Sequence, residues 1–437
     1  MGRVGAETYL RRQAEAEIRR RRGTLTVTDV KMGMARIHQA AFILRAAGVL
    51  ADGRVQALTA ELAAALAVRS DLPPQLIGQR LQQAGLPHSD AERPVAVQLR
   101  ADPLGQQIIR VASERAPADL HLLTLVRSPQ DAVITFAMSM RWPADGSSTD
   151  LQITGAGPQH LPYQRLEAVD SEGGRYRLRL HPGDGGATAW RGHASLSAPL
   201  PAHARWLDIV ADGTERLVRL DLTRPAVAAE VTTDEERATP GERLLAIAAE
   251  RILASACGAA EPVGSMNLGH MVEVLTGAGT IAAGSPAIGR LVALCDRLGI
   301  TRHGITAPAA QDIPAQWSSV LERAGVALHA AGEYAALGTV LPLIEGTRLV
   351  LAGLSVADGD SFLLVVTSGP LPLPPLSWWA RDSAGDWHVA VPRYPETYGD
   401  ESVLKLQLVP PLDLSGDTVE IVVTGATGRV RARCQLR

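Results

Sequence analysis

The chain has 437 residues, of which 46% are hydrophobic and 20% are charged, so its length and composition predict several compact folded units and exclude overall disorder. A net charge of -3, from 43 basic and 46 acidic residues, excludes the strong positive field of a protein devoted to coating nucleic acid. No apolar run reaches the roughly 18 residues that span a bilayer, and three scattered cysteines (Cys257, Cys295 and Cys434) exclude a disulfide framework, so we expect a cytoplasmic protein without a membrane span.

The first predicted element is an arginine-rich helix at the N-terminus. Residues 1–23 contain seven arginines and three glutamates. The arginines are Arg3, Arg11, Arg12, Arg19, Arg20, Arg21 and Arg22. A spacing of four residues between Glu15 and Arg19 is typical of ion pairs on a solvated helix. The alternative hypothesis is that the helix docks on an anionic partner, which includes nucleic acid.

Two more helices are predicted before the first β-rich region. Apolar residues recur at intervals of three and four between 30 and 44, and an alanine-rich stretch covers 55–68. We therefore assign 1–92 to an N-terminal helical region, and expect a small bundle.

Residues 93–225 predict a first β-sandwich module. Polar and apolar residues alternate in 205–210 and 216–222, and the Asp212-Gly213 pair between them suits a tight hairpin turn. The spacing of such turn signals indicates an immunoglobulin-like sandwich of roughly seven short strands.

Residues 226–340 predict a second helical bundle. Thr239-Pro240-Gly241-Glu242 is a capping box with proline at the first helical position. Ser285-Pro286 opens another helix, which Gly299 ends, and apolar positions from 317 to 328 predict a third.

Two strings in this region resemble functional signatures. Gly277-Ala278-Gly279-Thr280-Ile281-Ala282 matches a dinucleotide-binding fingerprint, but 267–276 predicts a helix where that fold needs a strand, so we interpret the string as a connection between helices. The segment 294–305 resembles a helix-turn-helix, although Gly304 and Pro308 disfavour its second helix. The alternative to a protein-binding function is therefore a DNA-binding regulator that uses 291–306, including Arg302, and the arginine-rich helix.

Residues 341–437 predict a second sandwich module. Leu404, Leu406 and Leu408 alternate with Lys405 and Gln407, which is the period of a strand. The string Gly359-Asp360-Ser361-Phe362 resembles the nucleophile block of GDSL-type hydrolases, but it starts at a hairpin corner within a β-rich segment, and we interpret it as that turn.

The two β modules are similar in sequence. Shifting the chain by 212 residues aligns 161–222 with 373–434 without a gap, and 14 of the 62 aligned pairs are identical. The similarity continues upstream at a different offset, between 122–138 and 350–366. The sequence thus predicts that 341–437 is a diverged repeat of 93–225.

These segments predict an α+β chain in which two Ig-like antiparallel β-sandwich modules alternate with two small helical bundles. A turn of the same type follows Asp170 and Asp382 in the two modules, and tryptophans lie near it. Partner contact and hairpin geometry both account for this turn. The candidate partner-binding residues are Asp170, Tyr176, Trp378, Trp379, Asp382 and Trp387.

The sequence contains no metal-ligand spacing, phosphate-binding loop or paired-carboxylate motif, and we predict no catalytic residue, metal or cofactor. We therefore expect a non-catalytic interaction or scaffold protein with a protein partner. A second alternative is an enzyme whose site is assembled from scattered residues. It would require a polar pocket between a sandwich and a bundle, with facing carboxylates or histidines.

Overall fold

The fold is mixed α+β, with two curled antiparallel sheets and a group of helices. It is known from a computed structural model. The model describes residues 2–20, 27–51, 53–58, 61, 107–110, 120–127, 132–139, 166–181, 184–185, 189–213, 215–223, 229–235, 238–259, 268–301, 305, 311–325, 333–357, 359–369, 371–372, 374–392 and 403–436.

Helices precede and follow the first β-rich region along the chain. They are α1 (Gly2–Arg20), α2 (Val27–Ala46), α3 (Pro240–Ala256), α4 (Leu268–Gly277), α5 (Pro286–Arg297) and α6 (Ala315–Glu322). The capping box is confirmed, because the Thr239 side chain accepts a hydrogen bond from Glu242 N and the Glu242 side chain accepts one from Thr239 N. The Ser285 side chain caps α5 by accepting a hydrogen bond from Ala287 N, and Gly299 follows α5 with a φ of 66°. In the described ranges, no helix combines the length and apolar character needed to cross a membrane.

The helices predicted as two bundles share one apolar core. Leu10 of α1 and Leu44 of α2 belong to the same buried cluster as Leu253 of α3 and Leu291 of α5. Side chains of the second sheet complete this cluster, and they are Trp379, Val389, Val409 and Val422. A pair of helices buries little apolar surface by itself, so the N-terminal helices add to the later ones.

The first sheet contains nine strands in the order β1-β2-β3-β7-β5-β4-β8-β9, with β6 paired to β7. The strands are β1 (Gln107–Arg110), β2 (Leu120–Arg127), β3 (Ala132–Ser139), β4 (Leu166–Asp170), β5 (Arg175–Leu180), β6 (Asp184–Gly185), β7 (Ala189–Leu196), β8 (Trp206–Ala211) and β9 (Glu215–Asp221). All pairings are antiparallel.

The second sheet has the order β10-β18-β17-β14-β15-β16-β13-β12-β11. Its strands are β10 (Glu230–Asp234), β11 (Glu333–Val340), β12 (Arg348–Ala357), β13 (Asp360–Ser368), β14 (Ser377–Arg381), β15 (Trp387–Pro392), β16 (Val403–Val409), β17 (Thr418–Thr424) and β18 (Arg429–Gln435). Leaving β6 and β10 aside, the chain visits the strands of both sheets in the same spatial order.

The register of the two sheets is also the same. Ala168 lies opposite Ile209 in the first sheet, and Ala380 lies opposite Ile421 in the second, each pair separated by the shift of 212 residues. Upstream the structure sets the offset at 229, because β2 has a register shift between Leu122 and Thr124 and β12 has one between Leu351 and Gly353. The ranges 122–138 and 350–366 differ by 228, so they are one residue out of structural register.

Each sheet curls into a half-barrel around its own core. Strand β5 pairs through its first half with β4 and through its second half with β7, so one strand carries the sheet around the bend. Strand β15 does the same between β14 and β16. Leu125, Leu207 and Leu220 meet inside the first curl.

Two strands of the second sheet lie within 226–340, the range predicted to be helical. Strand β10 is mostly exposed and, among the described residues, pairs with β18 alone, so its sequence has no apolar alternation. Strand β11 has a register shift between Ala336 and Thr339, which interrupts its alternation. The periodicity of 2 was therefore absent where these strands form.

Candidate functional site

A pocket of about 500 Å³ lies between the helices and the second sheet. Helices α3, α5 and α6 line one side, and strands β14, β15, β17 and β18 line the other. Its walls combine indole rings, arginines and carboxyl groups.

Glu250 is the buried carboxyl group of this pocket. Helix α3 carries Arg243, Ile247 and Glu250 on one buried face, at spacings of four and three. Glu250 is only 6% exposed. Ser377 Oγ and Trp379 Nε1 both donate hydrogen bonds to Glu250 Oε1, the second at 2.8 Å. Within the described ranges no hydrogen bond reaches Oε2, which leaves that oxygen for a ligand.

Burial controls the charge of this carboxyl group. Loss of hydration raises the pKa of Glu250 to about 7, although the hydrogen bonds from Ser377 and Trp379 and the charge of Arg251 act in the opposite direction. Near neutral pH the group therefore exists in both protonation states. It can accept a hydrogen bond or donate one.

Indole rings form the apolar part of the pocket wall. Trp379 and Trp387 meet edge to face, with ring centroids 6.2 Å apart. Trp317 of α6 is buried and lines the same pocket. These rings fit a flat or branched apolar group.

The arginines of the pocket have different tasks. Arg243 donates to Glu345 Oε1 and to the carbonyl oxygen of Pro374, both at 3.0 Å, and so fastens α3 to the second half-barrel. Arg431 lies 3.2 Å from Asp234 and 3.7 Å from Glu420. Arg290 on α5 makes no hydrogen bond or ion pair to any described residue, and its charge acts on the nearby Glu242 carboxylate.

Glu242 is the second carboxyl group of the pocket, and both of its oxygens accept hydrogen bonds from residues that cap helices. Burial acts to raise the pKa of Glu242, but hydrogen bonds from Thr239 and Ser285 and the charge of Arg290 outweigh it and lower the pKa. Oε2 accepts from Thr239, and Oε1 accepts from Ser285 Oγ at 2.7 Å. Glu242 therefore stays ionised and caps α3.

The predicted partner-binding aspartates hold the two paired turns. Asp170 is 1% exposed, and its Oδ1 accepts from Glu172 N and Gly174 N. Tyr176 Oη donates to Asp170 Oδ2 at 2.6 Å. In the second turn Asp382 Oδ1 accepts from Asp386 N, and its Oδ2 lies 3.4 Å from His388 Nε2.

The predicted tryptophans separate into two groups. Trp378 faces the core of the second half-barrel. Trp379 and Trp387 face the helices, where they line the pocket with Glu250. Neighbours on a strand point to opposite faces, so the Trp378-Trp379 pair serves both cores.

The predicted anion-docking arginines are only partly described. Arg11 and Arg12 are exposed on α1, and Arg11 lies 3.1 Å from Glu61. Arg19 pairs with Glu15 at 3.3 Å, as the spacing predicted. The side chain of Arg20 and residues Arg21, Arg22 and Arg302 lie outside the described residues.

Two strings that resemble signatures are ordinary turns. Helix α4 ends at Gly277, and Gly279 has a φ of 69°, which confirms a connection between helices. Gly359 turns β12 into β13 with a φ of 81°. Ser361 is buried, and its Oγ donates to Leu408 O and accepts from Leu412 N, so it has no freedom to act as a nucleophile.

Sequence reasoning missed Glu250 and Arg290. The signal for Glu250 was its place three residues after Ile247 on the buried face of α3, where a charged residue requires a partner. Arg290 gave no signal, because its place in the pocket depends on how α5 packs beside α3 and the second sheet. No metal-binding group of three or more His, Cys, Asp or Glu side chains occurs in the described ranges.

Comparison with protein-family models found no match to this chain, and comparison with curated proteins found none either.

Proposed function

We propose that the chain is a non-catalytic interaction or scaffold protein of the cytoplasm, and that its pocket receives an acidic, partly apolar segment of a partner protein. One observation carries this proposal. Arg290 makes no hydrogen bond or ion pair to a described residue, although its charge acts on Glu242, and it lines a pocket walled by Trp317, Trp379 and Trp387. An acidic side chain satisfies the arginine, and an adjacent apolar side chain packs against the indoles.

Glu250 is compatible with an acidic occupant. An ionised Glu250 would repel a carboxylate, but its pKa of about 7 allows it to take up a proton and donate from Oε2. The volume of about 500 Å³ accommodates two or three side chains of a peptide.

The distribution of carboxyl groups supports binding over catalysis. General acid–base chemistry at two positions needs two available groups. Glu242 is committed to the cap of α3, which leaves Glu250 alone. A catalytic role is nevertheless the second candidate, because a carboxyl group with a pKa of about 7 in a pocket is a common catalytic feature.

The proposal extends to the modules that carry the site. We infer that each half-barrel is a β-sandwich that arose by duplication of one ancestral unit. The switch of β5 from β4 to β7 supports two layers in the first module, and the common register supports a common origin. The sandwiches would then present their loops and edges to the partner.

A peptide titration tests the proposal. The probes are a fluorescent peptide of alternating aspartate and leucine and a matched peptide with asparagine at every aspartate. We expect the acidic peptide to bind at least about tenfold more tightly, and Arg290→Gln to remove about tenfold of its affinity. Arg297→Gln, an exposed arginine on the same helix outside the pocket lining, is the control and should change nothing.

Three outcomes would overturn the proposal. Equal binding of the two peptides, or no binding of either, would remove the acidic partner. An equal effect of Arg297→Gln would show only a general charge effect. Hydrolysis of p-nitrophenyl acetate or p-nitrophenyl phosphate that disappears in Glu250→Gln would favour the enzyme.

A further inference from the structure

The two half-barrels pack against each other through the outer faces of β2 and β3 and of β12, β13 and β16. Four buried side chains of the first module contribute, and they are Leu123, Val126, Val133 and Ala137. Five of the second module meet them, and they are Val350, Ala352, Leu364, Val366 and Val403. This contact joins strands that occupy the same place in their two sheets.

The shared register identifies which residues are equivalent across this contact. The bulges in β2 and β12 make Leu123 equivalent to Ala352, and Thr124 equivalent to Gly353. The equivalence continues into the next strand pair. Val133 lies opposite Ser195 in the first sheet, and their equivalents Phe362 and Gln407 lie opposite each other in the second.

A first contact occurs together with its exchanged copy. Thr124 Oγ1 donates a hydrogen bond to Ala352 O at 2.5 Å. Exchanging each residue for its equivalent gives the pair Gly353 and Leu123. These two residues also touch, since a Cβ atom added to Gly353 would lie 2.9 Å from Leu123 Cδ1.

A second contact obeys the same rule with different chemistry. Arg191 Nε donates to Ser355 Oγ at 2.7 Å, and the guanidinium group lies 4.1 Å from the centre of the Phe362 ring. The equivalents of these three residues are Val403, Val126 and Val133. These valines share one apolar cluster, so a polar contact on one side corresponds to an apolar contact on the other.

In a twofold interface, a contact between residue i of one copy and residue j of the other occurs a second time, between residue j of the first copy and residue i of the second. We propose that the outer face of β2–β3 and its counterpart β12–β13 are one self-complementary surface, whose partner is a second copy of the same module. In this chain the second copy is fused to the first. The side chains have since diverged, because Leu123 contacts Gly353 where the backbone oxygen of Ala352 accepts a hydrogen bond from Thr124.

A double-mutant cycle in the full chain tests the proposal. Ala352→Leu alone places a large side chain against Thr124 and should lower the melting temperature by about 5 °C. Adding Thr124→Gly places a leucine at 352 beside a glycine at 124, which reproduces the contact between Leu123 and Gly353. We expect the double variant to melt at least about 3 °C above the sum of the two single shifts.

A matched control uses Ala352→Leu with Thr339→Gly. Thr339 is a buried β-strand threonine whose Oγ1 donates to Leu337 O and lies 3.5 Å from Cys434 Sγ, so its side chain faces the core of the second half-barrel. Its shift should simply add to that of Ala352→Leu. If leucine prevents folding, Ala352→Val with Thr124→Ala measures the same coupling with smaller changes. Additive shifts in both cycles would overturn the twofold arrangement.

Discussion

The two half-barrels have the same strand order and register, but the outer face of the second is apolar and that of the first is polar. On the second, Trp379, Val389 and Val409 are buried beneath helices. Their equivalents on the first are Glu167, Arg177 and Ser197. The same backbone arrangement therefore supports either an outer face packed against helices or an outer face of polar side chains. The outward residues of β4–β5 and β14–β15 determine which of the two forms.

Ion pairs complete the open face of the first half-barrel. Arg175 lies 3.1 Å from Glu167, and Arg219 grips Asp208 with two hydrogen bonds of 2.6 and 2.7 Å. The Arg219 guanidinium also lies 3.9 Å from the centre of the Trp206 ring. The arginine side chains cover the carboxylates and the ring, so this face needs no helix.

The largest expected effect comes from substituting two equivalent residues, one that packs against the helices and one that does not. Trp379→Ala deletes a buried indole and one hydrogen bond to Glu250, so we expect a loss of about 4 kcal/mol in the free energy of unfolding. Glu167→Ala removes a carboxylate whose partner Arg175 is half exposed, and should cost about 1 kcal/mol or less. Urea titration measures both values. Equal losses would show that the helical cover does not distinguish the two faces.

The second prediction concerns the pH dependence of the covered face. Glu250 has a pKa of about 7 in the folded chain instead of its ordinary 4.5, so the unfolded chain releases this proton first as the pH rises. Between these values the unfolded state binds fewer protons, and folding stability decreases with pH. The decrease from this group should reach about 3 kcal/mol by pH 8.

Two variants separate this effect from the other carboxyl groups. Glu250→Gln should abolish the decrease between about pH 4.5 and 7 when stability is measured by urea titration at several pH values. Glu242→Gln is the control on the same helix. Because the pKa of Glu242 is lowered, its contribution is present at neutral pH and is lost as the pH falls. A decrease that persists in Glu250→Gln would contradict the assignment.

Much of the β frame was predictable because it depends on local pattern. Turn residues such as Asp212-Gly213 and the alternation in β16 located strands, and the shift of 212 residues matches the register of the second half of each sheet. Thr239 and Ser285 marked the starts of α3 and α5, since capping is a property of a few adjacent residues.

The remaining features depend on partners distant in sequence. Bulges occur at Leu123 and at its equivalent Ala352, and nothing in an alternating run shows which residue is extra. The union of α1 and α2 with the later helices depends on tertiary packing. Glu250 belongs to a site only because Ser377 and Trp379 arrive from β14.

The smallest effects concern the turn that both half-barrels share. In the first, Asp170 accepts two backbone hydrogen bonds and one from Tyr176, which together outweigh burial and lower its pKa. In the second, His388 replaces the tyrosine, and Asp382 accepts one backbone hydrogen bond at 2.9 Å. Asp170→Ala should therefore cost about 2 kcal/mol at pH 7, and Asp382→Ala about 1 kcal/mol.

Acid titration sharpens this comparison. A lowered pKa adds stability above the ordinary pKa of aspartate, and this stability is lost as the pH falls through the lower, folded-state value. The difference between Asp170→Ala and the unmodified chain should thus shrink in acid, as measured by urea titration at pH 7 and pH 3. Asp170→Asn, which keeps an acceptor at Oδ1, should retain part of the stability. A larger cost for Asp382→Ala than for Asp170→Ala would show that the number of hydrogen bonds does not determine how firmly the turn is held.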